Sequence, residues 1–128
     1  MAKISNIKSG EVFKAHNKYM NPPKDKYHLC INEKMYFIIN TKAHNFNCEI
    51  SPEDCGILKY NCYINCETIR IEPIKEFIVI KKEELSTNAI LRLIEKLKCT
   101  PTLTPLQKNK VISDLQSCIE KRKDSLNS

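Results

Sequence analysis

From Gly10 onward, apolar positions come in short runs separated by polar clusters, which is the spacing of strands rather than helices. Glu11 to Ala15 reads as a first strand. Residues 16–26 contain Asn21-Pro22-Pro23 and read as a loop, because consecutive prolines remove backbone donors. Tyr27 to Ile31 reads as a second strand and Lys34 to Asn40 as a third, rich in β-branched and aromatic residues. Asn32-Glu33 between them reads as a tight turn, so the pair is expected to form a hairpin. Cys48 to Ile50 and Tyr60 to Asn65 are shorter candidates. Glu67 to Ile71 reads as a helical turn or bridge, and Phe77 to Lys81 as the last strand.

After Ser86 the period changes. Ile90, Leu93, Ile94 and Leu97 recur at i, i+3, i+4 and i+7, the face of an amphipathic helix over 86–98. Thr100-Pro101 ends it. Thr104-Pro105-Leu106-Gln107 is a T-x-x-Q capping box with proline at the first helical position. It opens a helix predicted over 104–123, with Leu106, Val111, Leu115, Cys118 and Ile119 near one face and 124–128 fraying. Strands first and helices last predict an α+β fold: one domain over 1–128, with a small curled antiparallel sheet or barrel at about 10–82 covered by two C-terminal helices.

A chain of 128 residues is long enough for one core without disulfides or metal. Its two glycines, Gly10 and Gly56, cannot build a G-x-G-x-x-G fingerprint or a G-x-x-x-x-G-K-[ST] loop, so nucleotide cofactors held by such turns are excluded. No H-E-x-x-H or C-x-x-C pattern occurs either. The net charge of +6 is unevenly spread. Residues 1–42 carry eight lysines against Glu11, Asp25 and Glu33, whereas residues 43–79 are acidic. A basic amino-terminal third suits an anionic partner.

Seven cysteines, an odd number, with no apolar leader in the first residues imply reduced thiols and a cytoplasmic protein. No apolar run reaches the ~18 residues of a membrane span, so no membrane partner is expected. Cys55, Cys62 and Cys66 with His28 or His44 offer one conceivable zinc set, which would make the chain a zinc-stabilised interaction domain. The close ligand pairs of structural zinc are missing. Buried free cysteine is the expectation, with no metal and no cofactor.

Candidate chemistry gathers at one end of the hairpin. Its geometry brings Lys26 and His28 opposite Asn40, Thr41 and Lys42, with His44 just beyond. A cation, a hydroxyl and imidazoles are the parts needed to cleave RNA without metal, by attack of the 2′-hydroxyl. The other reading of His28 is a hydrogen-bonded core histidine. Lys18, Lys24, Tyr27 and Lys42 mix positive charge with an aromatic ring, which suits single-stranded RNA.

Several segments carry a resemblance. Gly10-Glu11-Val12, the run Lys24 to Ile31, Phe37-Ile38-Ile39-Asn40-Thr41, and Tyr60 to Arg70 together resemble the MazF/PemK-like toxin family over about residues 10–97. The resemblance implies an SH3-like, strongly curled antiparallel β-barrel followed by helices. It also implies a metal-independent endoribonuclease of a toxin–antitoxin system, an antitoxin protein as partner, and a homodimer. It gives catalytic roles to Lys26, standing where the family has arginine, and to Thr41; the reading of the hairpin residues adds His28 or His44 for acid–base work. Tyr27 stands where the family has proline, and Thr41-Lys42 where it has Thr-Ser. A non-catalytic RNA- or protein-binding module on the same barrel is the alternative.

Overall fold

The computed structural model describes residues 6–44 and 46–127. Seven strands precede two helices: β1 (Glu11–Asn17), β2 (Lys24–Asn32), β3 (Met35–Asn40), β4 (Asn47–Ile50), β5 (Cys62–Asn65), β6 (Arg70–Ile71), β7 (Val79–Glu84), α1 (Thr87–Cys99) and α2 (Pro105–Asn127). A 3-10 turn, Ile74–Glu76, lies between β6 and β7. The fold is therefore α+β, with an antiparallel sheet ahead of two C-terminal helices.

The strands form one sheet in the order β4-β5-β3-β2-β1-β7, with β6 also paired to β3. β4 and β7 are its two edges, and no pairing joins them among the described residues, so the sheet is not closed. Strand alternation sends Val12, Leu29, Ile31, Phe37 and Ile39 to one face, where they pack with Ile90, Leu93, Leu97, Val111 and Leu115 of the helices. The other face carries Phe13, Ala15, Cys30, Tyr36 and Ile38, covered by Ile74, Phe77 and Val79. The 3-10 turn is held over this face by the Ile74 N–H donating to the Glu33 carbonyl at 2.9 Å. The strands β1, β2 and β3 are thus buried on both sides, which explains their near-continuous apolar runs.

Both helix starts match their sequence signals. Ser86 Oγ accepts from the Ala89 N–H at 3.1 Å. Thr104 and Gln107 form the reciprocal box, with the Gln107 N–H donating to Thr104 Oγ1 at 3.1 Å and the Thr104 N–H to Gln107 Oε1 at 3.0 Å. Several boundaries differ. β1 continues to Asn17 and β2 begins at Lys24, so the proline-containing loop is only residues 18–23; the cross-strand pairs His16↔Asp25 and Asn17↔Lys24 extend the ladder. The hairpin turn is Glu33-Lys34, one residue later than the sequence predicts, because a bulge at the end of β2 shifts the register. The last strand is Val79–Glu84, Ile74–Glu76 having wound into the 3-10 turn. Finally, α2 runs on to Asn127 rather than fraying after 123, and its core face takes in Leu103 from before the helix while Leu106 is 81% exposed.

Arg122 ties α2 to the start of α1, donating to the Leu85 carbonyl at 2.7 Å and to Thr87 Oγ1 at 3.1 Å. The same corner constrains Gly10, which has φ of 86°. Its N–H donates to the Cys30 carbonyl and its carbonyl accepts from Leu85, both at 2.9 Å. A Cβ here would lie 2.6 Å from Cys118 Sγ. Gly10→Ala is therefore expected to cost about 2 kcal/mol, from a disfavoured backbone and an overpacked contact. Urea unfolding would read this as a lower midpoint at unchanged slope.

Candidate nucleic-acid interface

The hairpin aligns the predicted residues only in part. Tyr27 pairs with Ile39 and His28 with Ile38, so Lys26 stands opposite Asn40. Lys26 Nζ donates to Asn40 Oδ1 at 3.0 Å. Burial, reinforced by the neighbouring Lys24 charge, lowers the Lys26 ammonium from its ordinary value. Thr41, Lys42 and His44 follow β3 and are exposed. The His44 carbonyl accepts from the Asn47 side-chain amide. Lys24 is exposed at the start of β2. Lys18, in the β1–β2 loop, lies 3.9 Å from Glu76 and 5.3 Å from the Tyr19 ring centroid.

His28 takes the other course that the sequence left open. Its side chain is fully buried, stacked on Phe13 with ring centroids 4.7 Å apart and edge-on to Tyr36 at 5.3 Å. A carbonyl can only accept, so Nδ1 donates to the Phe13 oxygen at 3.3 Å and carries the proton. Nε2 is then an acceptor, and the Asn17 amide donates to it at 3.1 Å. The second Asn17 hydrogen goes to the Tyr36 hydroxyl at 3.1 Å, and that hydroxyl donates to Glu72 Oε1 at 2.7 Å. Burial lowers the His28 pKa to about 4. A neutral, fully bonded and solvent-free imidazole does not reach a substrate, so the expectation of acid–base work at His28 is corrected. Its nearness to Lys26 is real, but the ring belongs to the core.

The opposite face of the same strand ends holds a group of which the sequence reading named only Tyr27. Lys14 pairs across the ladder with Tyr27 on one side and with Lys81 on the other. Both ammonium groups lie 5.7 Å from the Tyr27 ring centroid. The Tyr27 hydroxyl donates to the Ile57 carbonyl at 3.1 Å, which fixes the ring. One step further along, His16 pairs with Asp25, and His16 Nδ1 lies 3.0 Å from Asp25 Oδ1. Lys14 and His16 share one face of β1, as Asp25 and Tyr27 share one face of β2. The signal was the alternation itself; assigning residues 16–26 to a loop hid it.

Among the described residues, no three histidine, cysteine, aspartate or glutamate side chains are grouped to hold a metal ion. Cys55, Cys62 and Cys66 instead face three different backbone carbonyls, those of Glu83, Tyr60 and Ile64. The zinc set is thus not assembled. No described helix is long and apolar enough to cross a membrane. No protein-family model matches the chain, and no curated protein matches it.

The buried imidazole sets a pH dependence. The folded protein keeps His28 neutral down to about pH 4, whereas the unfolded chain takes up its proton near 6.5. Between these values the unfolded state binds more protons, so stability falls as pH falls through that window. The loss attributable to His28 between pH 7.5 and 5 should be about 2 kcal/mol. Urea unfolding of wild type and His28→Phe at both pH values measures it. Comparing the pH slopes cancels any constant cost of the lost Asn17 bond, and equal slopes would show that His28 is not held neutral.

Proposed function

We propose that the protein binds single-stranded RNA through the end of the sheet where β1, β2 and β7 meet. The observation that carries this reading is the row Lys81–Lys14–Tyr27. Like charges directly opposite each other on a sheet are unfavourable. Here two of them sit over one aromatic ring. An anion between the ammonium groups relieves the repulsion, and a ring held by its own hydroxyl gives a base a surface to stack on. Lys24, Lys26 and Lys42 extend the positive field around the same strand ends. The sharing of one site by cations and an aromatic ring favours RNA over a purely acidic protein surface.

This reading fits the resemblance to MazF/PemK-like proteins, with the sheet as their SH3-like barrel. From that resemblance we also propose a toxin–antitoxin setting, with an antitoxin as partner, a homodimer, and a cytoplasmic location. Lys26 and Thr41 then serve as phosphate contacts. With His28 buried, His44 is the exposed imidazole left beside their hairpin end.

The test is fluorescence anisotropy of a labelled single-stranded RNA across a range of salt concentrations. Binding should weaken steeply with salt. Lys14→Ala combined with Lys81→Ala should weaken it at least tenfold at low salt and flatten the log–log salt slope by about 1.4, the contribution of two phosphate contacts to a single strand. Salt-independent binding, or an unchanged slope in the double variant, would exclude this face.

A further inference from the structure

We infer that the cleft between α2, the start of β1 and the β7–α1 junction binds a small zwitterion: a free amino acid, with one carboxylate and one ammonium group. The cleft has a volume of about 1090 Å³, at the upper end of small-molecule sites. It shares no residue with the Lys81–Lys14–Tyr27 row, so the inference stands apart from the RNA reading. It begins with two residues of the cleft wall. Arg122 Nη2 and Ser9 Oγ are buried and have no hydrogen-bond partner among the described residues. A buried polar group left in this state costs free energy, so its presence needs a reason.

Both residues belong to one corner. A Cβ on Gly10 would lie 3.2 Å from Arg122 Nη2 and 2.6 Å from Cys118 Sγ, and Cys118 Sγ donates to the Ser9 carbonyl at 3.2 Å. Arg122 is held there by its other terminal nitrogen, since Nη1 donates to the Leu85 carbonyl and to Thr87 Oγ1. The guanidinium is thus fixed by bonds to the protein that leave Nη2 over. Nη2 only donates, and the Ser9 hydroxyl has a hydrogen to give as well. The oxygens of one carboxylate accept from both, and a charged acceptor makes such bonds short and strong.

The rest of the wall selects against a plain anion, because its carboxylates outnumber its cations. Two of them are engaged: Asp54 accepts from Arg92 at 2.8 Å, and Asp114 accepts from Asn32 at 2.8 Å. Glu84 is 68% exposed, with Oε2 3.9 Å from Arg122 Nε. The Glu83 carboxylate sits over Gly56, where an added Cβ would meet Oε2 at 2.7 Å. Glu83 and Glu84 repel a phosphate or any other multiply charged anion. A simple amine, in turn, leaves Arg122 Nη2 unpaired. A ligand that carries both charges answers both halves of the wall. Its carboxylate takes Arg122 and Ser9, and its ammonium group takes Glu83 or Glu84.

The experiment screens the full chain by thermal unfolding against the twenty amino acids and a series of straight-chain ω-amino acids, with titration calorimetry on each hit. At least one should raise Tm by about 3 °C or more at saturation. Its N-acetyl derivative lacks the cation and its methyl ester lacks the anion, and each should bind at least about tenfold more weakly. Ser9→Ala should weaken binding at least about fivefold, as should Glu83→Gln combined with Glu84→Gln. These variants carry the test because Arg122→Gln also cuts the tether between the helices. Calorimetry below the Tm of each variant keeps a loss of stability from passing as a loss of binding. No stabilisation by any amino acid would overturn the inference. So would equal binding of acetate or inorganic phosphate, or wild-type affinity in either variant.

Discussion

Three strands buried on both faces govern what the rest of the chain can do. β1, β2 and β3 send alternate side chains into two separate apolar layers, one under the helices and one under the 3-10 turn. A side chain in the middle of these strands therefore has no water on either side. Any polar group placed there must find its partners inside the protein or lose free energy on folding. His28, Asn17 and Tyr36 satisfy this rule as a connected set. Solvent-accessible polar side chains are left to the strand ends, where Lys14 and Lys26 are half-buried and His16 and Asp25 exposed.

The buried set also explains how the second layer keeps its shape. Asn17 at the end of β1 receives the Tyr19 N–H on its side-chain oxygen at 2.9 Å, which orders the start of the following loop. Tyr36 passes the chain of bonds to Glu72, and Glu72 lies 3.2 Å from Arg70, whose guanidinium donates to the Tyr19 carbonyl. Burial, reinforced by the bond to Glu72, pushes the Tyr36 hydroxyl up to about 12, so it remains a donor. The network therefore joins the β1–β2 loop to the segment that carries the 3-10 turn. Two carboxylates of the acidic middle of the chain serve this joint: Glu72 accepts from the Tyr36 hydroxyl, and Glu76 accepts from the Tyr19 hydroxyl at 2.6 Å. The segment's negative charge is thus partly structural.

Local rules made much of the fold legible. The α1 period, the Ser86 cap and the Thr104–Gln107 box rest on residues close in sequence and are found as expected, and the α2 period holds for Val111, Leu115, Cys118 and Ile119 but not for Leu106. Strands β3 and β4 were legible for the same reason. The ends of β1 and β2 were not. Residues 16–26 contain Pro22 and Pro23, and a rule that reads prolines as loop also swept in His16, Asp25 and Lys26, which the ladder holds as strand. The error carried over to chemistry. With His16 assigned to a loop, its facing partner could not be named, and His28 was the histidine left on a recognised strand. The fate of His28 depended on Phe77, 49 positions away, closing over it; that long-range contact leaves no mark in the local pattern.

The ladder sets Lys14 of β1 and Lys81 of β7 directly opposite each other, an unfavourable pairing of like charges on a sheet. Lys81 could be a carboxylate or a threonine without disturbing either apolar layer, since its side chain lies outside both. Each cation–π contact on an exposed ring returns only about 0.5–1 kcal/mol, and direct opposition of two ammonium groups removes part of that. On the other side of β1, Lys82 shows what a structural lysine does in this protein: it pairs with Glu11 at 3.2 Å. Lys14 and Lys81 have an aromatic ring in place of a carboxylate. The two cations are kept adjacent and directed at one ring toward the β7 end of the sheet, while α1 packs on β4 and α2 on β2. The constraint that seals the centre of the sheet is thus what concentrates the available charge at its rim.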